Sequence, residues 1–130
     1  MPQSTTVAAA ETYATLATQF VTALLNQPAA DPAILPKNIT LNVNFPALSS
    51  TCSADNMQWI LTRVFPVILG NPDVVTCGNG GRLPQEGDVV KAGCYATVSV
   101  VQASTKVDVS KSVQADVLNR LSGLGFSCLA

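Results

Sequence analysis

A chain of 130 residues and 13.5 kDa has the size of one domain, and 48% apolar against 12% charged residues, with a mean hydropathy of +0.33, excludes a disordered segment. Seven basic and eight acidic residues leave a net charge of -1 with no basic stripe, which excludes nucleic-acid binding by bulk electrostatics. The chain has no histidine, so a Ser-His-Asp triad and any imidazole-held metal are excluded, and no apolar run reaches the roughly 20 residues of a membrane span.

Thr5 to about Asn26 reads as a helix. Tyr13, Leu16, Ala17, Phe20 and Leu24 recur at helical spacing, with Glu11, Thr15, Gln19 and Thr22 mostly opposite; Ser4 or Thr5 caps the start and Pro28 stops it. Gln27 to Pro36, with three prolines, is a loop. Ile39, Leu41, Val43 and Phe45 then alternate with Thr40, Asn42 and Asn44, the clearest strand in the sequence, ended by Pro46. Ala47 to Asn56 is a Ser-rich connection. Met57 to Phe65 looks extended, but its irregular apolar pattern leaves a short helix open. Gly70 to Pro72 and Gly78 to Gly81 are turns. Tyr95 to Val101 is a second strand, with β-branched residues on both faces and therefore interior. Ser110 to Leu124 is a helix with a stripe of Val113, Val117, Leu121 and Leu124, capped by Ser110 and ended by Gly125.

Cys52, Cys77, Cys94 and Cys128 contain no CxxC pair, so a zinc knuckle or thioredoxin-type motif is not expected. An even number allows two disulfides in three possible pairings; four free thiols remain the alternative. Asn38-Ile39-Thr40 is an N-glycosylation acceptor triplet, which leans towards a secretory history. Met1 to Ala10 lacks the basic start and Leu-rich core of a signal peptide, so the signal of a secreted protein is expected to lie outside this chain.

Visible chemistry is sparse. Gly80, Gly81 and Arg82, in the run from Cys77, are candidates for contacting a phosphate through backbone N–H groups and a guanidinium. The run lacks the P-loop pattern and no evident helix follows it, so a tight turn with positive φ is the competing reading. Asp73, Glu86 and Asp88 are the only carboxylates whose grouping suggests oxygen ligation of Mg²⁺, yet Glu86 and Asp88 flank Gly87 as in an exposed turn. Asp108 and Asp116 straddle the start of the last helix, where the helix dipole accounts for Asp108. Trp59 has no basic cluster beside it and reads as a core or interface residue. No GxSxG elbow is present.

Resemblance adds to this. Leu35-Pro36-Lys37-Asn38-Ile39-Thr40-Leu41-Asn42-Val43-Asn44-Phe45-Pro46, following a helix, resembles the LNVN-P strand of the SurE (survival protein E) phosphatase and nucleotidase family. Leu61-Thr62-Arg63 is similar to that family's VTR segment. Gly81 to Val101, ending Gly93-Cys94-Tyr95-Ala96-Thr97-Val98-Ser99-Val100, is similar to its GTD…GYVSVTPL stretch, and Lys106-Val107-Asp108 matches the lead into its last helix. The cysteines and the DVVTCGNGGRLP wording look most like the fungal secreted branch, often called acid phosphatases. The similarity covers most of the chain from about Val7.

The resemblance implies an α/β fold: the C-terminal part of a SurE-type Rossmann-like domain, ordered helix, strand, extended hairpin region, strand, helix. It implies hydrolysis of phosphate monoesters by a divalent metal, Mg²⁺ or Mn²⁺, and a homodimer formed through the C-terminal region. The family's ligands are an Asp-Asp pair, a Ser and an Asn from a Gly/Asn-rich loop. The sequence contains no Asp-Asp dipeptide, and GTD reads Pro84-Gln85-Glu86, so no catalytic, cofactor or metal residue carries over. The chain alone is therefore expected to be inactive, with location in the secretory pathway or outside the cell. A non-catalytic scaffold or dimerisation module, or a small disulfide-stabilised secreted protein, are the alternatives.

Geometry then suggests a pairing. The strand from Tyr95 spans roughly 23 Å at about 3.3 Å per residue, and the last helix roughly 22 Å at about 1.5 Å per residue. A helix packed back along the strand returns Cys128 to Cys94, leaving Cys52 to pair with Cys77.

Overall fold

The computed structural model describes residues 2–27, 33–66 and 72–129. The elements are α1 (Pro2–Leu25), β1 (Ile39–Asn44), β2 (Gln58–Thr62), α2 (Glu86–Ala92), β3 (Tyr95–Gln102) and α3 (Lys111–Arg120), followed by a 3₁₀ turn at Ser122–Leu124. The class is α/β. The expected stop at Pro28, much of the loop after α1 and the turn at Gly70 and Asn71 lie outside the described residues. No described helix is long and apolar enough to cross a membrane.

The three strands form one sheet in the order β1-β3-β2, β1 antiparallel and β2 parallel to β3. The parallel pair needs a crossover, which cannot be a tight turn, and the segment containing α2 supplies it. The sequence suggested an exposed turn there. Instead Glu86 and Asp88 occupy the first turn of a seven-residue helix and Lys91 its last, the charge order that suits the dipole. Residues 57–65, left between helix and strand by their pattern, hold β2. Its burial on both faces removes the alternation that marks a half-exposed strand.

Register assigns each strand residue a face. On one face Leu41 pairs with Val100, and Val43 and Leu61 flank Val98, while Trp59 pairs with Ala96. Leu16, Leu83, Val109, Val117 and Leu121 complete the buried core there, with Tyr13, Phe20 and Leu24 of α1 packed against it. Trp59 stacks on Phe20 (5.8 Å between ring centroids) and meets the edge of Phe45 (5.9 Å), so its aromatic company comes from distant parts of the chain. Arg120, 4% exposed, donates to Gln27 Oε1 and Ala33 O and ties α3 to the segments flanking the first loop. The last helix is shorter than its apolar stripe suggested: Leu121 caps α3, and Gly125, at φ +72°, ends the 3₁₀ turn.

All four cysteines are paired, but the expected pairing is wrong. The bridges are Cys52–Cys94 and Cys77–Cys128, with Cα separations of 5.3 and 5.5 Å. The cause is the strand order. Parallel pairing of Gln58 with Tyr95 aligns the starts of β2 and β3, so the cysteines preceding each strand meet, and Gln58 N donates to Cys94 O. β3 is flanked on both sides, which leaves no room for the C-terminal tail beside it. The tail runs along the free side of β2, where Ser127 N donates to Trp59 O (2.8 Å), and delivers Cys128 to Cys77. Two disulfides point to an oxidising compartment.

Candidate functional site

The second face of the sheet is polar in its rows. Asn42, Ser99 and Thr62 lie side by side across the three strands, and Asn44, Thr97 and Ile60 form the next row. α2 places Glu86 over them. Its backbone N–H donates to Arg63 O (2.9 Å), a bridge that starts the helix where β2 ends. Asn42 Nδ2 donates to both Glu86 carboxylate oxygens (2.7 and 3.0 Å), Asn44 Nδ2 to one of them (2.7 Å) and Ser99 Oγ to the same one (3.4 Å). Thr62 and Ser99 share a hydroxyl–hydroxyl bond of 2.7 Å, while the Thr97 hydroxyl, fully buried, has no partner among the described residues. Three of these contacts thus converge on Glu86 Oε2 and one on Oε1. The arrangement clamps α2 to the sheet. Sequence reasoning missed this cluster although its signal is present: Asn42 and Asn44 in β1, Thr97 and Ser99 in β3, each two residues apart.

Asp73 sits in a second cluster at the end of β2, remote in role from Glu86. Arg63 Nη1 lies 2.6 Å from Asp73 Oδ1 and Nη2 lies 3.5 Å from Asp108 Oδ2. Gln114 Nε2 and Leu83 N also donate to Asp73 (2.9 and 2.8 Å). Asp108 accepts from Val64 N and Phe65 N (2.8 and 3.0 Å). Its partners are therefore the chain leaving β2 and Arg63, not the dipole of α3. Asp116 pairs with Arg120 one helical turn on, at 3.0 Å. A cavity of about 420 Å³ opens over Arg63, Asp73, Asp108 and Lys111. Among the described residues, no three Cys, Asp or Glu side chains converge in a way that could hold a metal ion, and a divalent metal does not fit the donor sets present.

The glycine loop has the positive φ that its composition called for: +66° at Gly78 and Gly80, +81° at Gly81. Its backbone turns inward. Gly81 N donates to Asn79 Oδ1 (2.8 Å), Arg82 N to Asn79 O (3.3 Å), and Asp73 N to Gly81 O (2.7 Å). Arg82 is exposed and lines a cavity of about 240 Å³ with Leu118, Phe126 and the Cys77–Cys128 bridge. A groove of about 700 Å³ runs between α1 and the 3₁₀ turn and has no charged side chain in its lining, so nothing there would orient a phosphate. Asp88 is exposed on α2. No protein-family model, no curated protein and no solved structure matches the chain.

Proposed function

We propose that this chain is the sheet-forming C-terminal portion of a SurE-like, metal-dependent phosphomonoesterase or nucleotidase, exported from the cytosol, and that it does no chemistry by itself. One observation carries the reading. The two segments that bear the resemblance, LNVN and YATVSV, are far apart in sequence yet lie in register as neighbouring strands, Asn42 against Ser99 and Asn44 against Thr97. Matching wording in segments that build one structural unit is a stronger sign than either match alone. The carboxylates that the sequence offered for metal binding are engaged otherwise: Asp73 by Arg63, Glu86 by Asn42 and Asn44. Metal and phosphate would then be held by residues that this chain does not contain.

Two experiments test the halves of this proposal. Sequencing the coding region 5′ of Met1 is expected to show an in-frame segment with an Asp-Asp pair ending a strand; an in-frame stop codon immediately upstream contradicts it. The purified chain, given a generic phosphate monoester with Mg²⁺, Mn²⁺ or Co²⁺, is expected to match the no-enzyme blank. Metal-dependent turnover lost in Glu86→Gln contradicts the inactive reading. The same proposal includes the homodimer through the C-terminal region that the resemblance implies, and β1, which ends the sheet with one row of backbone groups unpaired by any described strand, adds a reason to associate. Light scattering at micromolar concentration is expected to give the dimer mass, and a monomer contradicts it.

A further inference from the structure

Asn38-Ile39-Thr40 is the one Asn-x-Ser/Thr triplet in the sequence, and its middle residue is not proline. The other asparagines all lack a hydroxyl residue two places on. In the fold Asn38 is exposed, in the turn that enters β1, with φ +61°. That left-handed conformation is one that asparagine adopts more readily than most residues. The turn is pinned from below, because Ala103 N donates to Asn38 O (2.8 Å). The side chain lies along the surface, its Nδ2 donating to Ser104 Oγ (3.2 Å), an exposed contact between exposed residues.

We propose that Asn38 is an N-glycosylation site, modified with an oligosaccharide on its way through the secretory pathway. Four observations converge: the triplet, the exposure of Asn38, its position in an anchored turn, and two disulfides, which form in the same compartment that glycosylates. The co-reactant is a lipid-pyrophosphate-linked oligosaccharide. A bond forms between Asn38 Nδ2 and C1 of the first sugar as the bond from C1 to the pyrophosphate oxygen breaks. The lipid pyrophosphate leaves with the electron pair, and one Nδ2 proton passes to a base of the transferase. The other Nδ2 proton remains and can still donate to Ser104 Oγ, so the folded turn loses no hydrogen bond. Thr40 becomes part of β1, opposite Val101, so transfer precedes the pairing of β1 with β3.

The inference is independent of the phosphatase reading. Its test is the full chain, directed into the secretory pathway of a eukaryotic host, recovered from that pathway and weighed by mass spectrometry before and after an amidase that cleaves the glycan–asparagine bond. The wild type is expected to lose mass on treatment, with Asn38 converted to Asp. Asn38→Asp, which tolerates the same backbone conformation, and Thr40→Val, which keeps the side-chain shape, are each expected to abolish the loss. Thr40→Ser is expected to retain it. Wild-type protein with both disulfides formed and the bare polypeptide mass overturns the proposal, as does amidase-sensitive mass in Asn38→Asp.

Discussion

On one side of β3, Ala96, Val98 and Val100 meet Trp59, Leu61, Leu16 and Val117; on the other, Thr97 and Ser99 meet Asn42, Asn44, Thr62 and the carboxylate of Glu86. The same strand thus serves two kinds of interface. The first depends on apolar area and shape, which tolerate small shifts in partner. The second depends on donors matching acceptors, and a polar group that misses its partner is destabilising rather than neutral. What the difference teaches is where this domain is adaptable and where it is fixed.

The largest effect is expected at the ionic cluster that closes the end of β2. Asp73→Ala removes the acceptor of Arg63 Nη1, Gln114 Nε2 and Leu83 N at once and leaves a buried guanidinium with Asp108, 3.5 Å away, and Phe65 O. Denaturant unfolding is expected to show a loss of about 3–5 kcal/mol. Each disulfide closes a long loop, with sequence separations of 42 and 51, and the chain-entropy estimate is about 4 kcal/mol apiece. Replacing Cys52 and Cys94 together by Ala is expected to lower the unfolding midpoint accordingly.

On the apolar face, Leu16→Ala removes a fully buried side chain of α1 and is expected to cost about 3 kcal/mol. On the polar face, Glu86→Gln puts an NH₂ group where two asparagine amides already donate. The site is partly exposed, so about 1 kcal/mol is expected, less than for the apolar truncation. The smallest effect has the opposite sign. Thr97→Val replaces a buried hydroxyl that has no partner among the described residues by a methyl group of the same shape, and thermal unfolding is expected to show a gain of up to about 1 kcal/mol. A loss there would mean that the hydroxyl has a partner in solution.

The two faces were also unequally legible. Alternation in 39–45 marks β1 without help, and the stripe through Val113, Val117 and Leu121 finds α3, because β1 has one polar face and α3 one wet side. β2 gives no period, since it is buried on both faces, and α2 is too short for one, with Gly87 in its first turn. The polar rows needed register: Asn42 and Ser99 are 57 residues apart in a chain of 130, and only the strand order makes them neighbours. The role of Asp108 was hidden for the same reason, its partners Arg63, Val64 and Phe65 lying on another element. The cysteine pairing failed through the same gap. Element lengths place a helix along a strand, but they do not say which strand is in the middle.

Strand order is therefore the claim on which both faces rest, and the disulfides report it directly. Peptide mapping of unreduced protein from an oxidising compartment is expected to recover Cys52 joined to Cys94 and Cys77 joined to Cys128, as the order β1-β3-β2 requires. A Cys94–Cys128 linkage would put the C-terminal tail beside β3 and contradict that order.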